Sequence, residues 1–413
     1  MSTTTQTPSS AVGAQYAALI LIAGCTIGML SFGPRSALGL FLPPMSELNG
    51  WGRDVFALAL AVQILLWGAS QPIAGALADR FGPVLVLSTG AVLYSLGLAL
   101  MAYSTTPAML NLSAGVLAGF GIAGSSFTIV IASFGRLLPV KWRSLAFGAG
   151  TAAGSFGQFL FSPLAVGFIH GFGWQNALLL FAAIVLLIIP LSLALATPKN
   201  FVEATGAAQK QSLREALSEA FGHRSFVLLV LGFFTCGFQL LFITVHLPAY
   251  VVDRGLSVDA GAWTIGVIGL FNIFGSLLAG WLSDKMPKRY LLAAIYLLRS
   301  LAVIAFISFP VTPASAVVFG AVMGFLWLST VPPTSGLVAL MFGTKWFATL
   351  FGVAFFSHQL GGFLGVWLGG VLYEAFGSYD PIWWGSIVLG LISALLNLPI
   401  VEKPIVRAQP VPA

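Results

Sequence analysis

Four ionisable side chains stand where charge is expensive in this 413-residue chain: Arg35, Arg299, His246 and His358. Arg35 is the only charged residue between Tyr16 and Met45, inside the stretch LSFGPRSALGLFLPPM. A charge at membrane depth costs roughly 2.5 to 3.5 kcal/mol even on lenient insertion scales. The planar guanidinium fork fits a carboxylate with two hydrogen bonds. No Asp or Glu stands in the core of an apolar stretch to pair with these residues: Glu47, Asp54, Asp253, Asp259, Glu374 and Asp380 fall at or beyond the stretch ends, and the other six acids lie in opposite loops or tails. An all-basic set in hydrocarbon has to be neutralised by water or by an anionic ligand. An imidazole adds a group that binds a carboxylate or carries a proton near neutral pH. Gln239, Asn272 and Gln359 add directional hydrogen bonds.

Each has a plainer alternative. Arg35 lies about ten residues before the end of its stretch, within snorkelling range of the headgroups. Arg299 follows Arg289 by ten residues, so it is roughly 15 Å deep, and a bond to the carbonyls of a neighbouring helix competes with ligand contact. A buried, satisfied histidine is the bland account of His246 and of His358, and the amides can simply hold helices together at roughly 0.6 to 2 kcal/mol each.

The elements that carry these residues follow from composition. Hydrophobic residues make up 58% of the chain and charged residues 7%, far from the roughly 25% charge of a soluble domain. Apolar runs of about 20 residues recur, and alternating ten-residue strands do not, so the chain is an all-α membrane protein. Twelve spans are predicted, near 15–42, 55–78, 84–104, 108–135, 144–169, 174–197, 225–252, 259–283, 290–309, 314–341, 347–372 and 382–401. Residues 1–14, Ser/Thr-rich and without a basic start, read as a disordered tail, with a second tail at 402–413. Cys25 and Cys236 fall inside spans, as small packing residues. No phosphate-cradling loop, metal-ligand run or nucleophile elbow occurs, so neither an enzyme nor a cofactor or metal site is expected.

Placing both termini inside leaves fourteen Lys and Arg in inner loops and tails against two, Arg53 and Arg254, in outer loops. That bias predicts a multi-pass protein of a bacterial inner membrane with cytoplasmic termini. The basic pI then reflects topology and lipid headgroups, not nucleic acid.

The chain also repeats itself. GALADRFGPV at 75–84 and GWLSDKMPKR at 280–289 share Gly75/Gly280 and Asp79/Asp284 at an offset of 205 residues, and KWRSLAFG at 141–148 matches KWFATLFG at 345–352 at 204. A repeat spanning six helices keeps its orientation, giving two six-helix parallel repeats with a site near mid-membrane where they meet. The expected division is an N-terminal bundle at 15–197, a linker at 198–224 whose SLREALSEAF can form a surface helix, and a C-terminal bundle at 225–401.

GALADRFGPV resembles the Gly-x-Leu-x-Asp-Arg-x-Gly loop of the major facilitator superfamily. The resemblance implies twelve helices, cavity-lining first, fifth, seventh and eleventh spans, and gating residues at Gly75, Asp79, Arg80 and Asp284. Asp79 would cap a neighbouring helix and lock the inner gate. PRSALGLF resembles the Pro-Lys/Arg-Ser stretch of monocarboxylate transporters and oxalate–formate antiporters, and so implies that Arg35 binds a substrate carboxylate. The Asp and Arg of the eighth span in monocarboxylate transporters are replaced here by Asn272 and Ser276.

The expectation is a monomeric secondary transporter working by alternating access on a small organic anion, a monocarboxylate, by proton symport or anion exchange. Its substrate contacts are expected among Arg35, His246, His358, Gln359, Gln239, Asn272 and Arg299. A carrier of a neutral solute and a drug-type exporter are the rivals; the latter normally needs a buried acid.

Overall fold

A computed structural model describes residues 10–138, 140–196, 212–343 and 346–405, and those residues contain no strand. Among the described residues, twelve helices are long and apolar enough to cross a membrane. They are α1 (Gln15–Asn49), α2 (Arg53–Ala78), α3 (Pro83–Met101), α4 (Pro107–Leu137), α5 (Gly148–Phe172), α6 (Trp174–Leu195), α7 (Arg224–Asp253), α8 (Val258–Lys285), α9 (Lys288–Ser308), α10 (Pro313–Phe342), α11 (Thr349–Phe376) and α12 (Asp380–Asn397). An even number of crossings puts both ends of the span series on one face, called here the terminal face; the other is the far face.

The spans match the sequence expectation to within a few residues except for α1. It tightens after Ala37 into a short 3-10 turn, Leu38–Phe41, and resumes as helix Leu42–Asn49. Of the linker, the described part holds a helix at Leu213–Gly222, started by a reciprocal cap: Ser212 Oγ accepts from the Glu215 amide and Glu215 accepts from the Ser212 amide.

Two apolar cores fill the molecule. One is built almost wholly from α1–α6 and the other from α7–α12 and the linker helix. The halves meet along α2 with α11 and α5 with α8. Their contacts run from mid-span, where Trp67 meets Phe355 and Asn272 bonds Ser155, out to the far face. There Gly370 sits so close to α2 that a Cβ would lie 2.7 Å from the Ala57 Cβ and the Asp54 Cα; only a glycine permits that approach. Gly75, Gly148, Gly280 and Gly352 have open space where a side chain would project. The contacts that tie the halves together thus run from mid-span to the far face.

Among the described residues, three spans lose regular helix at mid-depth: α4 at Ser125–Ser126, α6 at Leu186–Leu187 and α10 over 327–330. Backbone at that depth cannot turn to water, so other groups must satisfy what the breaks release.

Candidate functional site

The break in α10 begins with its sequence, WLSTVPP. Pro332 and Pro333 open the second half of the span and donate no amide, so the turn before them loses its helical bonds. Arg299 answers from α9: Nε donates to the Leu326 carbonyl at 3.1 Å, and Nη2 to the same oxygen at 2.6 Å and to the Trp327 carbonyl. Nη1 has no partner, and the residue is fully buried. Asn272 of α8 closes the other side. Its Oδ1 accepts from the Leu328 amide at 2.9 Å and from Ser276 Oγ at 3.0 Å, while its Nδ2 donates to Ser155 Oγ of α5 at 2.8 Å. Cys236 Sγ lies 3.2 Å from Thr330 Oγ1, the last residue of the break.

Arg35 lives differently. Its guanidinium carbon lies over the Phe32 ring at 4.6 Å and over the Trp67 ring at 4.8 Å, and the residue is only 7% exposed. Nε is enclosed without a partner, and no hydrogen bond to either Nη is found among the described residues. No buried Asp or Glu accompanies it there. The buried Tyr94 of α3 lies in its electrostatic neighbourhood. Trp67 is held in turn: its Nε1 donates to Gln71 Oε1 at 2.9 Å, and Gln71 Nε2 donates to Ser126 Oγ at the break of α4, 2.7 Å away.

The wall continues into the second half of the chain. Trp67 meets Phe355 of α11 edge-on at 5.7 Å, and Phe355 stacks on His358 at 5.8 Å and 6°. His358 Nδ1 donates to Gln359 Oε1 at 3.0 Å, and Gln359 Nε2 donates across the half boundary to the Ile64 carbonyl at 3.1 Å. Gln239 is turned away from this wall, donating to the Ser386 carbonyl of α12.

His246 belongs to the far face. Nε2 donates to the Val366 carbonyl at 2.8 Å, so a neutral ring presents Nδ1 as acceptor to the Tyr379 hydroxyl at 3.0 Å. Tyr379 Oη accepts from Arg53 Nη1 at 3.1 Å, and Arg53 grips Asp253 through both Nη atoms at 2.6 Å. The Arg53 amide donates to Glu374 Oε1 at 2.6 Å, and its guanidinium lies 3.9 Å over the Tyr373 ring. Burial pushes the Tyr379 phenol above its ordinary range, so it keeps its proton and stays a donor to His246. This network ties α2 to α7, α11 and the turn before α12: it is a latch between the halves.

The seven expected contacts therefore do not gather around one point. Arg35 faces an aromatic wall that reaches His358 and Gln359. Asn272 and Arg299 hold the α10 break, Gln239 bonds α12, and His246 is part of the latch. Of the expected gating residues, Gly75 is open to space on one side, and Arg80 and Asp284 are exposed at the terminal face. Asp79 directly follows Ala78 at the end of α2, where the helix runs on to Phe81, and its side chain is outside the described part. Sequence reasoning missed Phe32, Trp67, Tyr94 and Phe355, although Trp67 and Gln71 stand one helical turn apart at mid-span.

Residues 24–366 match the Major Facilitator Superfamily. The chain belongs to that superfamily. A Bacillus subtilis (strain 168) uncharacterized MFS-type transporter, YcxA, is 27% identical over 389 residues, covering 91% of this chain and 93% of its own. Human monocarboxylate transporter 11 is 29% identical over 399 residues, covering 92% and 82%. Among solved structures, a D-xylose-proton symporter superposes with a TM-score of 0.71 at 15% identity over 94% of this chain and 98% of that one. A bacterial homolog of the human lysosomal transporter Spinster, inward-facing and occupied, gives 0.72 at 16%, over 94% and 97%. At such identity these likenesses establish the superfamily fold, and the resemblance read from GALADRFGPV holds. The chain is a twelve-helix secondary transporter of this superfamily.

Proposed function

We propose that this transporter carries a small organic anion, a monocarboxylate, and that Arg35 binds its carboxylate at mid-span. One observation carries the reading: a buried guanidinium with no acid and no hydrogen-bond acceptor in a superfamily member whose relatives include monocarboxylate transporters. An uncompensated buried charge is unfavourable, and an arriving carboxylate supplies the missing partner. Alternating access moves the two bundles, residues 15–197 and 225–401, about this site, with the latch shut here and Gly75, Asp79, Arg80 and Asp284 closing the terminal face in the opposite state. The carrier sits in a bacterial inner membrane with its terminal face in the cytoplasm, works as a monomer, and runs as a proton symporter or an anion exchanger.

Uptake of labelled monocarboxylates into proteoliposomes, with and without an inward proton gradient and against protein-free liposomes, tests the reading. Saturable uptake lost in Arg35→Gln is expected. Saturable uptake of that acid retained by Arg35→Gln contradicts the role of Arg35. Accumulation driven by the gradient marks symport, and gradient-independent counterflow marks exchange.

A further inference from the structure

We infer that the anion is flat at the carbon bearing its carboxylate: an aryl or conjugated monocarboxylate, not an acid with a tetrahedral, amino-bearing α-carbon. This rests on the reading that Arg35 binds a carboxylate, and goes on to ask which shapes fit.

Two aromatic rings lie against the guanidinium, their centroids 4.6 Å and 4.8 Å from its carbon. A guanidinium donates only in its own plane, so a carboxylate held by two parallel bonds lies coplanar with it. The first atoms beyond that carboxylate then start out beside the same rings. At an sp2 carbon every substituent stays in the carboxylate plane and can lie along the ring faces. At an sp3 carbon at least two substituents leave that plane and press toward Phe32 or Trp67.

The indole does not swing aside easily. Its Nε1 is bonded to Gln71, and Gln71 to Ser126 at the break of α4. Beyond Trp67 the surface stays aromatic through Phe355 to His358, which favours a ligand body that is itself a π-system. Chemistry also excludes the ammonium group. Among the described residues of the spans, the buried cationic and imidazole side chains are Arg35, Arg299, His246 and His358, and no Asp or Glu is buried there to receive a cation. An amino acid zwitterion would leave its ammonium unpaired.

Benzoate and cyclohexanecarboxylate separate shape from charge and size. Each has seven carbons and one carboxylate; only benzoate is flat. Their dissociation constants are measured by calorimetry on purified full-length protein, for wild type, Trp67→Leu, Trp67→Phe and Arg35→Gln. Wild type is expected to bind benzoate about tenfold more tightly, the size of one or two good aromatic contacts. Trp67→Leu brings the ratio near one, Trp67→Phe keeps most of it, and Arg35→Gln loses both acids. Equal binding of the two acids by wild type overturns the flat-ligand inference and leaves Arg35 as a carboxylate site. An undiminished ratio in folded Trp67→Leu overturns the assignment to these rings. Failure of wild type to bind either acid, while it binds no other carboxylate, removes the carboxylate reading itself.

Discussion

Two arginines lie buried at mid-span, and their surroundings are opposite. Arg299 gives two of its three nitrogens to backbone carbonyls released by the α10 break. Arg35 has rings against it and no acceptor. The internal repeat sharpens the contrast, because Tyr94, near Arg35, stands 205 residues before Arg299, the offset that relates the two signature loops. Likewise Trp67 stands 205 residues before Asn272. The same scaffold positions thus hold helix-capping groups in the second half and, in the first, aromatic side chains around an unsatisfied cation. A buried charge is structural or functional according to its acceptors, and depth alone does not decide.

If Arg299 is a cap, its loss should be the most damaging change in stability. Arg299→Gln leaves two carbonyls at membrane depth short of a charged donor, a cost of about 3 kcal/mol. Thermal unfolding in detergent should drop by many degrees and the yield of monodisperse protein should fall; an unchanged melting temperature would remove the cap. Asn272→Leu strips the Leu328 amide of its acceptor and severs the bond to Ser155, at about 2 kcal/mol, with the same measurement. Retained stability there would show that the break needs only one side capped.

Asp253→Asn touches a pair with part of its surface in water, so the effect on stability is smaller, about 1 kcal/mol. It should shift the population rather than the fold. Spin labels at Leu48 and Phe376, both exposed near the far face, should report about a fivefold gain in the longer, far-open distance. An unmoved distance distribution would mean that the close packing around Gly370, not the ion pair, holds the far face shut.

These contrasts divide what the sequence reveals from what it hides. Twelve spans were legible because crossing about 30 Å of hydrocarbon demands some 20 apolar residues, a constraint written locally. The signature loop and the 205-residue repeat were local too. The α10 break was half legible: Pro332 and Pro333 announce it, yet its donor, Arg299, comes from another helix 27 residues from the carbonyl it caps. His246 was harder. Placed by its span number, it belonged with the cavity residues; its actual partners are Tyr379, 133 residues away, and Val366, 120 away. Arg53 and Asp253 looked like ordinary loop charges because nothing in a single sequence says that two span ends 200 residues apart meet. The chamber around Arg35 was legible in its centre and not in its walls, since aromatic residues fill so much of this chain that composition alone cannot say which rings face a ligand.

The smallest expected stability effect belongs to Arg35. Arg35→Gln removes a charge that has no acceptor to lose, so the melting temperature should stay within about two degrees of wild type or rise. The same protein tests the account most directly. With an acid that the wild type transports, the dissociation constant should weaken at least a hundredfold in Arg35→Gln, through loss of a charge-assisted bidentate pair, while the protein remains monodisperse. Binding at wild-type strength by that folded variant would contradict the claim that Arg35 receives the carboxylate.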